Sequence, residues 1–365
     1  MSHSLRIVLP LFVIAAVGNL VWSAPPAVIE DAPAEVAGDS EKASEKESVE
    51  GKTEDVAAAE EEAPKQTYIR IARDEDENPV SLDTSVITFE ASGEKHKGIT
   101  VDLVGAVHVG DVAYYEKLNE LFETYDVLLY ELVAPEGTRV PKGGRKGGGA
   151  IGLLQGGMSS LLELEHQLEQ VDYTKDNFVH ADMSPEEFAK SMKDRGESFW
   201  AMFFKAMGQS AAQSGRGGKQ QISDADLLMA MFAKDRSLRL KRLIARQFED
   251  MESQMSIFDG PDGSTIITER NKKCFEVLKE HLGKGHKRIG VFYGAGHLAD
   301  MEKRMAEDFA MERTGEKWIA AWDLTAKEKS PETPKEADAP AEEGNQPEAD
   351  DRDPLAEPAP LKKAG

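Results

Sequence analysis

The chain has 365 residues, a single cysteine and a formal net charge of −23. One cysteine excludes an intramolecular disulfide and with it a small disulfide-stapled fold. The acidity argues against nucleic acid as a partner, whose phosphates ask for a basic face.

In chain order, the first 23 residues have the layout of a targeting segment. Arg6 stands in a short leading stretch, Ile7–Trp22 is almost wholly apolar, and Val21 and Ser23 suit the −3 and −1 places of a cleavage site. The apolar run is 16 residues, short against the ~20 a membrane span needs. A cleaved signal peptide is the expectation, and an uncleaved anchor, the sole route to a membrane, the alternative. An acidic linker over 24–66 follows: residues 25–66 hold 13 acidic and 4 basic side chains, and the tail 326–365 holds 11 and 6. Together these two segments carry 14 of the 23 net negative charges. With almost no large apolar residue they cannot offset chain entropy by burial, so disorder is expected in both. The remaining 67–325 is 259 residues, the size of one large domain.

Within that domain, Tyr68–Arg73 and Val86–Glu90 read as short strands and Gly98–Gly105 as a longer one. Asp111 is placed to cap a helix reaching about Thr124, since Tyr114, Leu118, Leu121 and Phe122 recur at helical spacing. Asp126–Leu132 is nearly all apolar, as in a strand covered on both faces. Strand, helix and strand at this spacing predict a βαβ unit. A helical insertion is expected over about 158–283. Ser184-Pro185-Glu186-Glu187 opens one helix, Asp224 to about Ser256 forms a second, and Ile266 to about Leu282 forms a third, closed by Gly283. Arg288–Tyr293 is then a buried strand, His297–Phe309 a helix, and Lys317–Leu324 a last strand. The fold class that follows is α/β, with a mixed, largely parallel central sheet, flanking helices and a helical insertion.

One local pattern occurs twice. Gly105-Ala106-Val107-His108 and Gly294-Ala295-Gly296-His297 each follow an apolar strand and precede an acid and a helix. Both histidines therefore fall at carboxyl ends of strands, where ligands sit in open α/β sheets, and so does Glu131. The motif glycines let the backbone turn sharply and leave room for a ligand. Two imidazoles and a carboxylate form a common hydrolytic metal set, in which bound water loses a proton near neutral pH. A single histidine in such a turn is usually a helix cap or a satisfied polar residue; the matched pair with Glu131, a charge inside the apolar run Val127–Val133, is what turns the balance.

The stretches VDLVGAVHVGD, DVLLYELV, ITERN and VFYGAGHLADMEKRM resemble the TraB–PrgY–GumN group, which includes the Tiki metalloproteases and is distantly related to the erythromycin esterases. They are spread through 99–325, and the helical middle matches loosely. The resemblance implies a metal-dependent peptidase with His108, Glu131 and His297 as metal or catalytic residues. It also implies Arg270 and Asn271 as supports or substrate-carboxylate partners, with Asp111 beside them. The cofactor expected is a divalent ion (Mn, Co or Zn), and the partner a peptide or small-molecule substrate. Fold and family do not settle the reaction, so two rivals stay open: a protein that sequesters a peptide signal or small ligand without turnover, and a metal-free esterase with a histidine base.

Weaker signals are read blandly. Gly147–Gly152 fits G-x-G-x-x-G but lies far from a strand end, and Gly137–Gly157, with Lys142, Arg145 and Lys146, is expected to be a mobile flap. Met202, Met207, Met229, Met231, Met251 and Met255 are expected in core or a soft apolar groove. Cys274 is expected to be a buried thiol, and His166, His180, His281 and His286 structural or exposed.

Overall fold

The computed structural model describes residues 67–144, 157, 159–198, 224–252 and 263–326. The leader, both acidic segments, the Gly147–Gly152 run and Met202, Met207 and Met255 lie outside the described residues. Among the described residues no helix is long and apolar enough to cross a membrane.

The architecture is the expected mixed α/β one, a seven-stranded central sheet flanked by helices. Strand β1 (Ile69–Arg73) leads into β2 (Pro79–Ala91), which at 13 residues is far longer than its apolar stretch suggested. Its first half carries Ser81, Asp83, Thr84 and Ser85, polar residues that read as loop yet are buried. Three of them find partners inside the fold: Ser81 donates to Asp83 (2.5 Å), and Thr84 Oγ1 and Tyr114 Oη lie 3.1 Å apart. Next come β3 (Thr100–Ala106), the two-residue β4 (Val109–Gly110) and helix α1 (Val112–Phe122), which buries Tyr114, Leu118 and Phe122 as expected and Tyr115 besides, with Leu121 half-buried. Strand β5 is Val127–Tyr130.

The insertion contains strands as well as helices. Glu165–His166 (β6) pairs with β4 and leads into a one-turn helix α2 (Gln167–Gln170). Phe178–His180 (β7) then adds a parallel edge beside β5; three residues are too few for alternation to announce a strand. Helix α3 (Pro185–Asp194) starts as the sequence says. The Ser184 hydroxyl accepts from the Glu187 N–H while the Glu187 carboxylate accepts from the Ser184 N–H. The single helix expected from Asp224 is two, α4 (Asp224–Met231) and α5 (Arg236–Glu252). On α4, Met229 and Met231 are exposed, not in the core, together with Leu228 and, just past the helix, Phe232.

A π-helical turn, Thr265–Glu269, runs into α6 (Arg270–Gly283). Gly285, with φ 85°, follows the end of α6 in place of Gly283. One stripe of α6 is buried throughout: Arg270 and Asn271 in the first turn, then Cys274, Phe275, Leu278 and Leu282. Polar and apolar residues thus share a face, the polar ones at the end that meets the sheet's carboxyl edge. Strand β8 (Arg288–Gly294), a 3-10 turn at Ala295–His297, helix α7 (Leu298–Phe309) and β9 (Met311–Asp323) complete the chain.

The strand order opens out the expected βαβ unit, whose two strands are parallel in one sheet. β3 and β5 are parallel but not neighbours, because β8 lies between them and pairs with both in parallel. The inner sheet therefore runs β3-β8-β5-β7, all parallel. The outer part is antiparallel: β9 covers one edge of β2 along nearly its whole length, while β1 and β3 share the other edge end to end.

Candidate functional site

Three adjacent parallel strands end together. In the ladder Ala106 pairs with Gly294 and Tyr130 with Phe292, and the Glu131 N–H continues the ladder by donating to the Phe292 carbonyl (3.1 Å). His108, Glu131 and His297 are the residues that leave these three ends. They meet around Gly294: a β-carbon at that position would stand 3.3 Å from Glu131 Oε2, 3.8 Å from His108 Nε2 and 3.8 Å from His297 Cδ2.

Each imidazole is fastened on its Nδ1 side by an amide oxygen. Asn271 donates from Nδ2 to the His297 carbonyl (3.1 Å) and to Asp300 (2.8 Å), which turns its Oδ1 to His297 Nδ1 at 2.7 Å. Gln167 donates to the Tyr173 hydroxyl (2.8 Å), which turns its Oε1 to His108 Nδ1 at 3.2 Å. Amide oxygens only accept, so both rings carry a proton on Nδ1 and turn Nε2 to the shared space. Burial pulls the His108 pKa below its usual value, and the attraction of Glu131 only partly opposes this, so its ring is neutral near neutral pH.

Glu131 is buried, with four charged or polar partners. Its Oε1 takes the Arg270 Nη2–H at 2.7 Å and stands 3.5 Å from His297 Nε2, and its Oε2 takes the Gly294 N–H at 2.6 Å. Burial pushes its pKa up, but Arg270, His297 and His108 together outweigh that and hold the carboxyl well below the usual range. Arg270 is itself forked onto Asp182, with Nε to Oδ1 at 2.9 Å and Nη2 to Oδ2 at 2.5 Å. Burial alone would lower the Arg270 pKa; the Asp182 and Glu131 carboxylates drive it higher still. Two carboxylates and one guanidinium leave a net charge of −1 beneath the two Nε2 atoms.

Of the residues singled out in the sequence, His108, Glu131, His297, Arg270 and Asn271 are brought together. Asp111 is not. It occupies the N-cap of α1 without capping it; its carboxylate takes Lys241 Nζ (2.7 Å) and the Asp323 N–H (2.5 Å), tying α5 and the end of β9 to the turn after His108. The motif glycines play only part of the role expected: Gly294 leaves room at the site, but neither makes a turn that needs a glycine. Neither has positive φ; both are needed for space. Gly294 leaves the site open, whereas a β-carbon at Gly105 would press on the Ser85 carbonyl at 3.1 Å and Leu298 Cδ2 at 3.2 Å. Asp182, Gln167 and Tyr173 escaped the sequence reading, for they come from the insertion and no short spacing links them to either turn. Cys274 is the expected buried thiol, its pKa pushed up by burial. The described part of the Gly137–Gly157 loop forms a turn at Pro141–Gly144, with Val140 buried; residues 145–156 lie outside the described residues.

A divalent ion fits the chemistry of these donors: two imidazoles that turn Nε2 inward and a carboxylate whose oxygens each keep a second lone pair, over a buried negative charge. The spacing is not that of a finished cage, since among the described residues no group of three or more His, Cys, Asp or Glu side chains is gathered to hold a metal. Set against models of protein families, curated proteins and solved structures, the chain matches none of them.

Proposed function

We propose that this chain is a hydrolase of amide or ester bonds, peptides among them, with His108, Glu131 and His297 as its reacting centre. The observation that supports it is the pair of inward-facing Nε2 atoms, each ring locked from behind at Nδ1, above a buried net negative charge. Such a surface favours a positive charge between the rings. A divalent ion (Mn, Co or Zn) would be held by His108 Nε2, His297 Nε2 and Glu131. When bound, it would supply a Lewis acid and a water acidic enough to deprotonate near neutral pH. The protein's own part is to hold the rings in one tautomer through Asn271 and Gln167. Glu131 fixes the His297 side of the site, and Gly294 keeps the space clear for substrate. The resemblance to the TraB–PrgY–GumN group points the same way, and the signal peptide expected over residues 1–23 supports an activity outside the cytoplasm.

A second reading rests on the partners Glu131 already has. With Oε1 on Arg270 and Oε2 on the Gly294 N–H, the carboxylate acts as a fixed negative group, and neutral His108 takes a proton from water directly. Purified chain, chelated and then resupplied with each metal, separates these readings when incubated with a mixed peptide and ester library read by mass spectrometry. Metal-dependent cleavage that His108→Ala abolishes supports the first. Cleavage that persists under chelation supports the second, and saturable binding without cleavage overturns both in favour of sequestration.

A further inference from the structure

Resting on the cation-holding reading above, we infer that Asp182 is a positioning residue that sets the affinity of the His108–His297 pair for a divalent cation, acting through Arg270. Asp182 contacts neither histidine in any recorded bond. Its side chain is wholly buried, and those of Arg270 and Glu131 are nearly so. One nitrogen, Arg270 Nη2, serves both carboxylates: one of its hydrogens goes to Asp182 Oδ2 at 2.5 Å and the other to Glu131 Oε1 at 2.7 Å.

Two consequences follow. The fork from Nε and Nη2 onto Asp182 fixes the guanidinium plane, so the remaining Nη2–H is aimed at Oε1. The second is electrostatic. With Arg270 alone, the Glu131 charge would be cancelled and the site beneath the imidazoles neutral. With Asp182 sharing the guanidinium, a full negative charge remains for a cation to meet.

The anchoring of Asp182 suits that task. It follows directly on β7, where the Ala181 N–H donates to the Tyr130 carbonyl (3.2 Å) and the Tyr293 hydroxyl donates to the Ala181 carbonyl. Tyr293 also packs its ring against that of His297, with centroids 5.2 Å apart. The backbone bearing Asp182 is thus pinned to the strands that carry Glu131 and His297. A purely structural alternative exists, because Asp182 Oδ1 accepts the Met183 N–H (2.7 Å) at the approach to α3. That role would govern stability and leave the affinity of folded protein untouched.

The test is calorimetric titration of the chelated full chain with Mn2+ or Zn2+. Asp182→Asn keeps the shape and an acceptor oxygen but removes the charge, and Kd should rise about 10- to 100-fold, the usual consequence of disturbing a group behind a metal ligand. In an Arg270→Gln background the same substitution should weaken Kd by only a few fold, the direct effect of the lost charge, since the path through Arg270 is gone. If the parent binds and Asp182→Asn binds equally tightly, with only its melting temperature lowered, the role of Asp182 is overturned while the metal reading stands. If the parent binds neither ion, the metal reading falls and this inference with it. Should Asp182→Asn not fold alone, the double variant decides: a Kd differing tenfold from that of Arg270→Gln overturns the path through Arg270.

Discussion

The two Gly-x-x-His turns are spelled alike and held differently. His297 is buried, and its ring is fixed by Asn271 in the first turn of α6, 26 residues earlier in the chain. His108 is half-buried, and its ring is fixed by Gln167, delivered by the β4–β6 ribbon from the insertion. The matching motif brings two imidazoles to one place, while the supports come from whatever elements the topology sets behind each ring. Equal contributions to chemistry should therefore go with unequal contributions to stability.

The largest effect is expected where both turns depend on one group. Arg270→Ala would leave Glu131 and Asp182 facing each other in the interior, and breaking a buried pair costs about 3–5 kcal/mol. At roughly 2–4 °C per kcal/mol for a domain of this size, calorimetry should show the melting temperature falling by about 10 °C. An unchanged melting point would mean that water already reaches the pair.

Next come the histidines themselves. His297→Ala and His108→Ala should each lower kcat/KM by about 10²- to 10⁴-fold, the range for a group that handles a proton. Each strands an amide oxygen, Asn271 Oδ1 or Gln167 Oε1, at a cost of about 1–3 kcal/mol; Asn271 is fully enclosed and Gln167 slightly open, so His297→Ala should unfold earlier in urea than His108→Ala. Equal midpoints for the two variants would break the comparison.

The motif glycines sharpen it further. Gly294 has φ −51° and ψ 135°, which alanine adopts freely. Gly294→Ala should fold normally and lose most turnover, because its methyl would enter the space between Glu131 and His108. Gly105→Ala should do the reverse, losing about 1–3 kcal/mol to overpacking against Leu298 and the Ser85 carbonyl while the folded fraction keeps its kcat. Ser184→Ala, far from both turns, should cost about 1 kcal/mol through the lost cap and leave kinetics as they are.

Much of this was legible in the sequence because its signals are local. Apolar runs marked β5 and β8, the capping box marked α3, and the paired turns with Glu131 marked the site. What stayed hidden depends on distant parts of the chain. Ser81–Ser85 look like loop until β9 and β1 are seen to flank them, and Thr84 pairs with both Ile69 and Ile319. Gln167 and Asp182 are ordinary polar residues in a region read as helical insertion. Asp111 shows the opposite error: its spacing suited a cap and a site, yet Lys241, 130 residues away, claims its carboxylate.

The position of β8 between β3 and β5 has a consequence for how the protein is made. Emerging from the ribosome, the first 180 or so residues contain β3 and β5 but nothing to fill the slot between them, so both present unpaired ladder groups and bare apolar faces. The filler arrives at residues 288–294, and β9, which seals the far edge of β2, arrives later still. Pairings this remote along the chain make for slow folding, and long-lived unpaired edges invite association with other chains. A nascent chain stalled before Arg288 would thus hold His108 and Glu131 with an open seam between them, a natural client for a holding chaperone. Release of such chains at successive lengths should show protease resistance appearing only once β8 and β9 are both free to dock.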